Sequence, residues 1–173
     1  FDKDSKMLGL GYPGGTIVES RAKRGNAESF GLSLPLKSKK QFAFSFTELK
    51  NAVILEIEKG NKQDEKFVAD ICASFQKTAI QHLCQKCKIF FEQNARDSRG
   101  WKHFGIIGGA SANLSLREKI QKMCDEFGIS LLLAPLEYCS DNAAMIGRVG
   151  LESYLRGEFS PLEIQTKPKI QSI

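Results

Sequence analysis

The chain has 173 residues, 42% of them hydrophobic and 26% charged, which is enough to bury one core and excludes a low-complexity or fibrous protein. Its net charge of +5, with a local cluster at Lys37, Lys39 and Lys40, would suit a polyanionic partner such as RNA, although on composition alone an ordinary solvated basic loop is the better account. No apolar run approaches the ~18 residues of a membrane span, no basic-then-apolar leader is present, and five cysteines without regular spacing fit reduced thiols, so a soluble cytoplasmic protein is expected.

In chain order, residues from Asp2 to about Leu8 predict a short helix that "GLGYPGG" must end, because Pro13, Gly14 and Gly15 supply turn chemistry. "TIVESRAKRG" reads as a helix stopped by Gly25. Phe42, Phe44 and Phe46 alternate with smaller residues at the period of a half-buried strand, and from Thr47 to Gly60 the period becomes helical. Asp64 is the expected N-cap of the longest helix, which carries Val68, Ile71, Cys72, Phe75, Ala79, Leu83 and Cys87 at three-to-four-residue steps until "EQNARDSRG" breaks the pattern. "WKHFGIIGG" predicts a strand ending in paired glycines, and Ser115 with Glu118 forms a capping-box pattern for a helix closed by Gly128. "ISLLLAP" predicts a strand buried on both faces, and a last helix runs from Asp141 to about Arg156. Strand, helix, strand, helix implies a parallel sheet, so the class is α/β.

Three stretches point to chemistry. Gly108-Gly109 at a strand's carboxyl end lets a phosphate or sugar approach the backbone, although the Walker and Rossmann spacings are absent and a tight turn needing glycine for packing explains the pair as well. Asp141 is either the N-cap of the last helix or a carboxylate directed at the same cleft, where it holds a metal or substrate group. "HLCQKC" does not make a zinc site, because four ligands are needed and His82 and Cys84 point to opposite sides of a helix. His103 reads as a core histidine, and the phenylalanine stripe as core rather than a base-stacking platform. Cys139 has no histidine near it in sequence to activate it.

Taken together, "FDKDSKMLGLGYPGG", "FAFSFTELKNAV", "ASFQ", "IIGGASANLSLR" and "APLEYCSDNAAMIG" resemble the ordered motif series of the TsaD family, over Asp2 to about Gly150. The resemblance implies the second RNase-H-like lobe of an actin-like, sugar-kinase and Hsp70 ATPase (ASKHA) architecture, with residues 9–63 a loop and helix insertion and 64–156 the α/β core. It implies transfer of a threonylcarbamoyl group from threonylcarbamoyl-adenylate to the exocyclic amine of the adenosine 3′ of the anticodon, in tRNAs reading ANN codons. Asp2, Gly15, Gly108, Gly109 and Asn113 are similar to the family's substrate-contacting positions, and Asp141 to its metal-ligating aspartate. The implied cofactor is one divalent metal, Fe2+ or alternatively Zn2+, and the implied partners are tRNA and TsaB- and TsaE-like proteins. "SFTELK" stands where "SFSGLK" is usual and "SDN" where "TDN" is common. The family's His-x-x-x-His pair and "SGGHT"-type strand do not occur here, and the chain opens on Phe1, so it is expected to be the second half of such a protein. The rival readings are a non-catalytic paralogue acting as a heterodimer scaffold, and an ATPase or carbohydrate kinase of the same superfamily.

Overall fold

The computed structural model describes residues 1–36, 43–94 and 101–164. Helices α1 (Asp2–Met7), α2 (Gly14–Ala22), α3 (Thr47–Lys59) and α4 (Glu65–Asn94) precede strand β1 (His103–Ile106), helix α5 (Leu114–Glu126), strand β2 (Ser130–Leu133) and helix α6 (Ala143–Leu155). Short 3-10 turns at Gly109–Ala112 and Leu136–Tyr138 follow the two strands. The chain divides into two compact units, Phe1–Cys139 and Ser140–Ile173.

Within the first unit, α4 is the spine. Its N-terminal half places Val68, Ile71, Cys72, Phe75 and Ala79 against Leu8 of the α1 end, Val18 and Ala22 of α2, and Leu49, Val53 and Ile57 of α3. Its C-terminal half places Ile80 and Phe91 against Leu116, Ile120, Met123 and Cys124 of α5 and Ile129 before β2. At about 1.5 Å per residue a 30-residue helix is some 45 Å long, which is why one helix serves both clusters. Asp64 caps it as expected, its Oδ1 accepting the Lys66 backbone N–H at 2.9 Å.

The segment after α2 is fixed to this spine by a buried carboxylate. Asp70 accepts the Asn26 N–H at 2.7 Å and the Ser29 hydroxyl at 3.0 Å, and it pairs with Lys66 at 2.8 Å. The Asn26 amide, then the Lys66 hydrogen bond, hold its carboxyl below the usual range. Gly25 sits so close that an added Cβ would fall 2.0 Å from the Ala69 carbonyl oxygen.

β1 and β2 pair in parallel, with His103 opposite Ser130 and Ile106 opposite Leu133, and α5 is the crossover between them. The class is therefore a helix-rich α/β arrangement with a small parallel sheet. α5 ends in a Schellman motif, in which the Ile129 N–H reaches the Cys124 carbonyl at 2.9 Å and the Gly128 N–H reaches that of Asp125 at 3.2 Å.

Four expectations are corrected. Residues 43–46 are not a strand: Phe44 and Phe46 are 54% and 41% exposed and present edge-on contacts to the His82 ring instead of a pleated face, while Phe42 lies outside the described residues. β2 is not buried on both faces, since Leu132 is 54% exposed and, among the described residues, its only strand neighbour is β1. His103 is exposed, not in the core, because it points away from the α5 side that buries Phe104 and Ile106 in part. The cap of α5 is Asn113, not Ser115, which lies inside the helix.

Candidate functional site

The first of the expected substrate positions is built where α1 meets α2. Pro13 has an extended backbone and stands as N-cap of α2, whose leading amides carry no intrahelical partner. One of them, the Gly14 N–H, donates to Oδ1 of Asp2 at 2.8 Å. The approach requires glycine, because a Cβ at Gly14 would lie 2.6 Å from the Asp2 Cα. At Gly15 a Cβ would meet nothing within 4 Å, so the second glycine faces open space. One turn further, Glu19 is on the same side of α2 as Gly15 and accepts the Leu114 N–H at 2.8 Å, which brings this corner against the start of α5.

The second group begins where β1 ends. Gly108 has φ +82°, a conformation that only glycine adopts readily, and both Gly108 and Gly109 have open space where a side chain would be. Packing therefore does not explain the pair. Asn113, 7% exposed, closes the turn: its Oδ1 accepts the Leu116 N–H at 2.8 Å as N-cap of α5, and its Nδ2 donates to Gln76 Oε1 of α4 at 2.7 Å. The amide is thus held in one orientation from both sides. Gln76 is itself buried and donates through Nε2 to Ser115 Oγ at 3.4 Å.

Arg117, one turn into α5, braces the loops at the strand ends. Its Nε donates to the Ser111 carbonyl at 2.6 Å, and its Nη2 to the Ala134 carbonyl at 2.8 Å and to Cys139 Sγ at 3.1 Å. Ser111 Oγ also reaches Cys139 Sγ, at 3.4 Å. The diglycine turn and the turn after β2 are cross-linked by one guanidinium and one buried thiol.

In the second unit, the residue that caps α6 is Asn142, whose Oδ1 accepts the Met145 N–H at 3.1 Å. The capping role weighed for Asp141 is thereby taken by its neighbour, and the helix begins at Ala143. Asp141 is exposed, and among the described residues its carboxylate makes no hydrogen bond or ion pair. An uncommitted carboxylate supplies a hard oxygen donor of the kind a divalent cation takes, so this residue fits the implied metal as one ligand of several. Among the described residues no three His, Cys, Asp or Glu side chains gather into a complete site.

The remaining candidates have structural surroundings. His82 is buried, and its Nε2 accepts the Ser45 N–H at 3.2 Å. Burial pushes the Cys87 thiol up to about 11 and raises that of Cys84, which disfavours the reactive thiolate at both. Lys37, Lys39 and Lys40 lie outside the described residues. Gln76, Glu19 and Arg117 were not singled out by sequence reasoning. Gln76 and Arg117 left a trace there only as the last residues of the motifs "ASFQ" and "IIGGASANLSLR".

Comparison with known proteins agrees with these motifs. A sequence profile described as "TsaD: tRNA N6-adenosine threonylcarbamoyltransferase" matches residues 1–148. A relative from Wolinella succinogenes with the name tRNA N6-adenosine threonylcarbamoyltransferase is 55% identical, over 100% of this chain and 51% of its own length. Relatives with the same name from Nitratiruptor sp. and Helicobacter pylori are 47% and 50% identical, each over 94% of this chain and 48% and 47% of their own lengths. The chain spans about half the length of the curated relatives it matches. With its motifs, their order and this degree of identity, the chain belongs to the TsaD family.

Proposed function

We propose that the whole protein transfers a threonylcarbamoyl group from threonylcarbamoyl-adenylate to the exocyclic amine of the adenosine 3′ of the anticodon in tRNAs reading ANN codons. This chain is then the second RNase-H-like lobe of an ASKHA architecture. A cytoplasmic setting with TsaB- and TsaE-like partners belongs to the same reading. In the transfer the tRNA nitrogen bonds to the carbamoyl carbon, the bond from that carbon to the phosphate oxygen breaks, AMP leaves, and the amine gives up a proton.

The chain's own residues bind and orient. Gly15, Gly108 and Gly109 leave the backbone bare where the adenylate approaches, and the Asp2 carboxylate stands at the same corner as Gly15. Asn113 presents an amide whose direction is fixed by Leu116 and Gln76, so no rotamer freedom is lost when substrate binds. Asp141, with histidines outside this chain, would hold a divalent metal, Fe2+ or Zn2+, whose Lewis acidity favours charge building on the carbonyl oxygen.

The observation that carries the reading is the uncommitted Asp141 carboxylate beside a helix already capped by Asn142. Asp141→Ala in the full-length gene is therefore expected to abolish transfer while the helix and fold persist. Mass spectrometry of tRNA nucleosides from a complemented deficient strain reads the outcome, and threonylcarbamoyladenosine at wild-type level would refute the assignment.

A further inference from the structure

On the face of α1 away from the core lies a cleft of about 540 Å³, lined by Asp2, Lys3, Lys6, Gly9, Gly11 and Tyr12. Its volume falls in the range that accepts a nucleotide-sized ligand. Tyr12 is 84% exposed, and among the described residues its ring stacks on nothing and its hydroxyl has no partner. The backbone beneath it is nonetheless anchored: Ser5 Oγ donates to the Gly11 carbonyl at 2.8 Å, and the Leu10 N–H donates to the Ser5 carbonyl at 2.9 Å. Lys3 and Lys6 are three residues apart on α1 and so share a side of it. Neither is in an ion pair among the described residues, and the one acid in the cleft, Asp2, already accepts the Gly14 N–H.

We propose that this cleft seats an unpaired nucleotide of the RNA substrate, with the base on the Tyr12 ring and the flanking phosphates on Lys3 and Lys6. The inference rests on the reading that the protein acts on tRNA. A held but unpartnered aromatic ring beside two unpaired ammonium groups matches the chemistry of single-stranded RNA, whose bases offer a stacking face and whose phosphates attract lysine. Apolar partners would leave the two ammonium groups without a counter-charge. The cleft shares Asp2 with the corner assigned to the adenylate, so a nucleotide seated there lies next to the group to be transferred.

The test uses the full-length protein and unmodified tRNA in filter binding across a salt series. Lys3→Ala and Lys6→Ala are each expected to reduce the slope of log affinity against log salt by about 0.7, the value for one phosphate contact on a single strand. Tyr12→Ala is expected to weaken tRNA binding about 5- to 150-fold at fixed salt, and Tyr12→Phe, which keeps the stacking face, to restore it. Unchanged slopes and affinities in all three alanine variants would overturn the proposal. So would a loss that falls on threonylcarbamoyl-adenylate binding, measured without tRNA, because the cleft would then serve the adenylate. A wild-type protein that binds tRNA but does not modify it would sink the proposed function and leave the cleft standing. Normal modification with unaltered variants would do the reverse.

Discussion

His82 illustrates how a single buried side chain couples the structure to pH. Its Nε2 accepts the Ser45 N–H, which only the unprotonated nitrogen can do. Burial first, and the nearby Lys86 ammonium second, push its pKa below the ordinary 6.5, against smaller opposing effects of the Pro35 carbonyl and Glu48. The unfolded chain therefore binds a proton more readily than the folded one. Stability from this residue is present above pH 6.5 and is lost as pH falls from there through the folded value. Denaturant titrations of wild type and His82→Gln between pH 7.5 and about 5 should show the steeper loss in wild type, since glutamine keeps an acceptor without the titration. Parallel curves would show that His82 does not titrate on folding. At this scale Asp141 was legible as a candidate from its place after the last strand, whereas Asp2, Gly15 and Asn113 were candidates only through family resemblance. The commitments around them, Gln76 to Asn113 and Glu19 to Leu114, join residues 37 and 95 positions apart and leave no local signal.

Elements were the most readable level, with instructive failures. Periodicity located α1 to α6, and Asp64 and Gly128 mark their helix ends by local chemistry alone. Asn113 and Ser115, two positions apart, are both of residue types that cap helices, as are the adjacent Asp141 and Asn142; in each pair the asparagine is the cap, a choice made by three-dimensional context. The alternation at Phe44 and Phe46 had the period of a strand, but the rings found the edge of His82 on α4 instead of a neighbouring strand. The α2–α4 junction gives a direct test of element packing. Gly25→Ala places a methyl 2.0 Å from a backbone carbonyl that cannot move without shifting α4. The expected cost is about 1–3 kcal/mol, from overpacking against backbone, and a thermal melt should move down by several degrees. A melt at the wild-type temperature would mean that the junction relaxes freely.

On the scale of the whole molecule, apolar side chains stand in water on the small sheet and on α6. Leu132 and Leu133 are 54% and 39% exposed, and Ile146, Val149 and Leu155 of α6 are 71%, 63% and 70% exposed. Exposed apolar side chains of this kind mark an interaction face on each of the two elements, taken separately. The chain expressed alone is expected to bind a hydrophobic dye and to self-associate with concentration, and Leu132→Lys should reduce both; sedimentation of a dye-silent monomer would contradict this. Burial on both faces of β2 was expected from its sequence, because "SLLL" encodes an apolar strand and does not encode what covers it. α4 carries a different consequence. Two clusters that share one continuous rod cannot melt independently: fraying at Phe91 withdraws the ridge on which α5 sits, and disruption at Phe75 removes the floor under α2 and α3. Heat should find the Phe1–Cys139 unit either wholly ordered or wholly undone, with no half-built survivor between them.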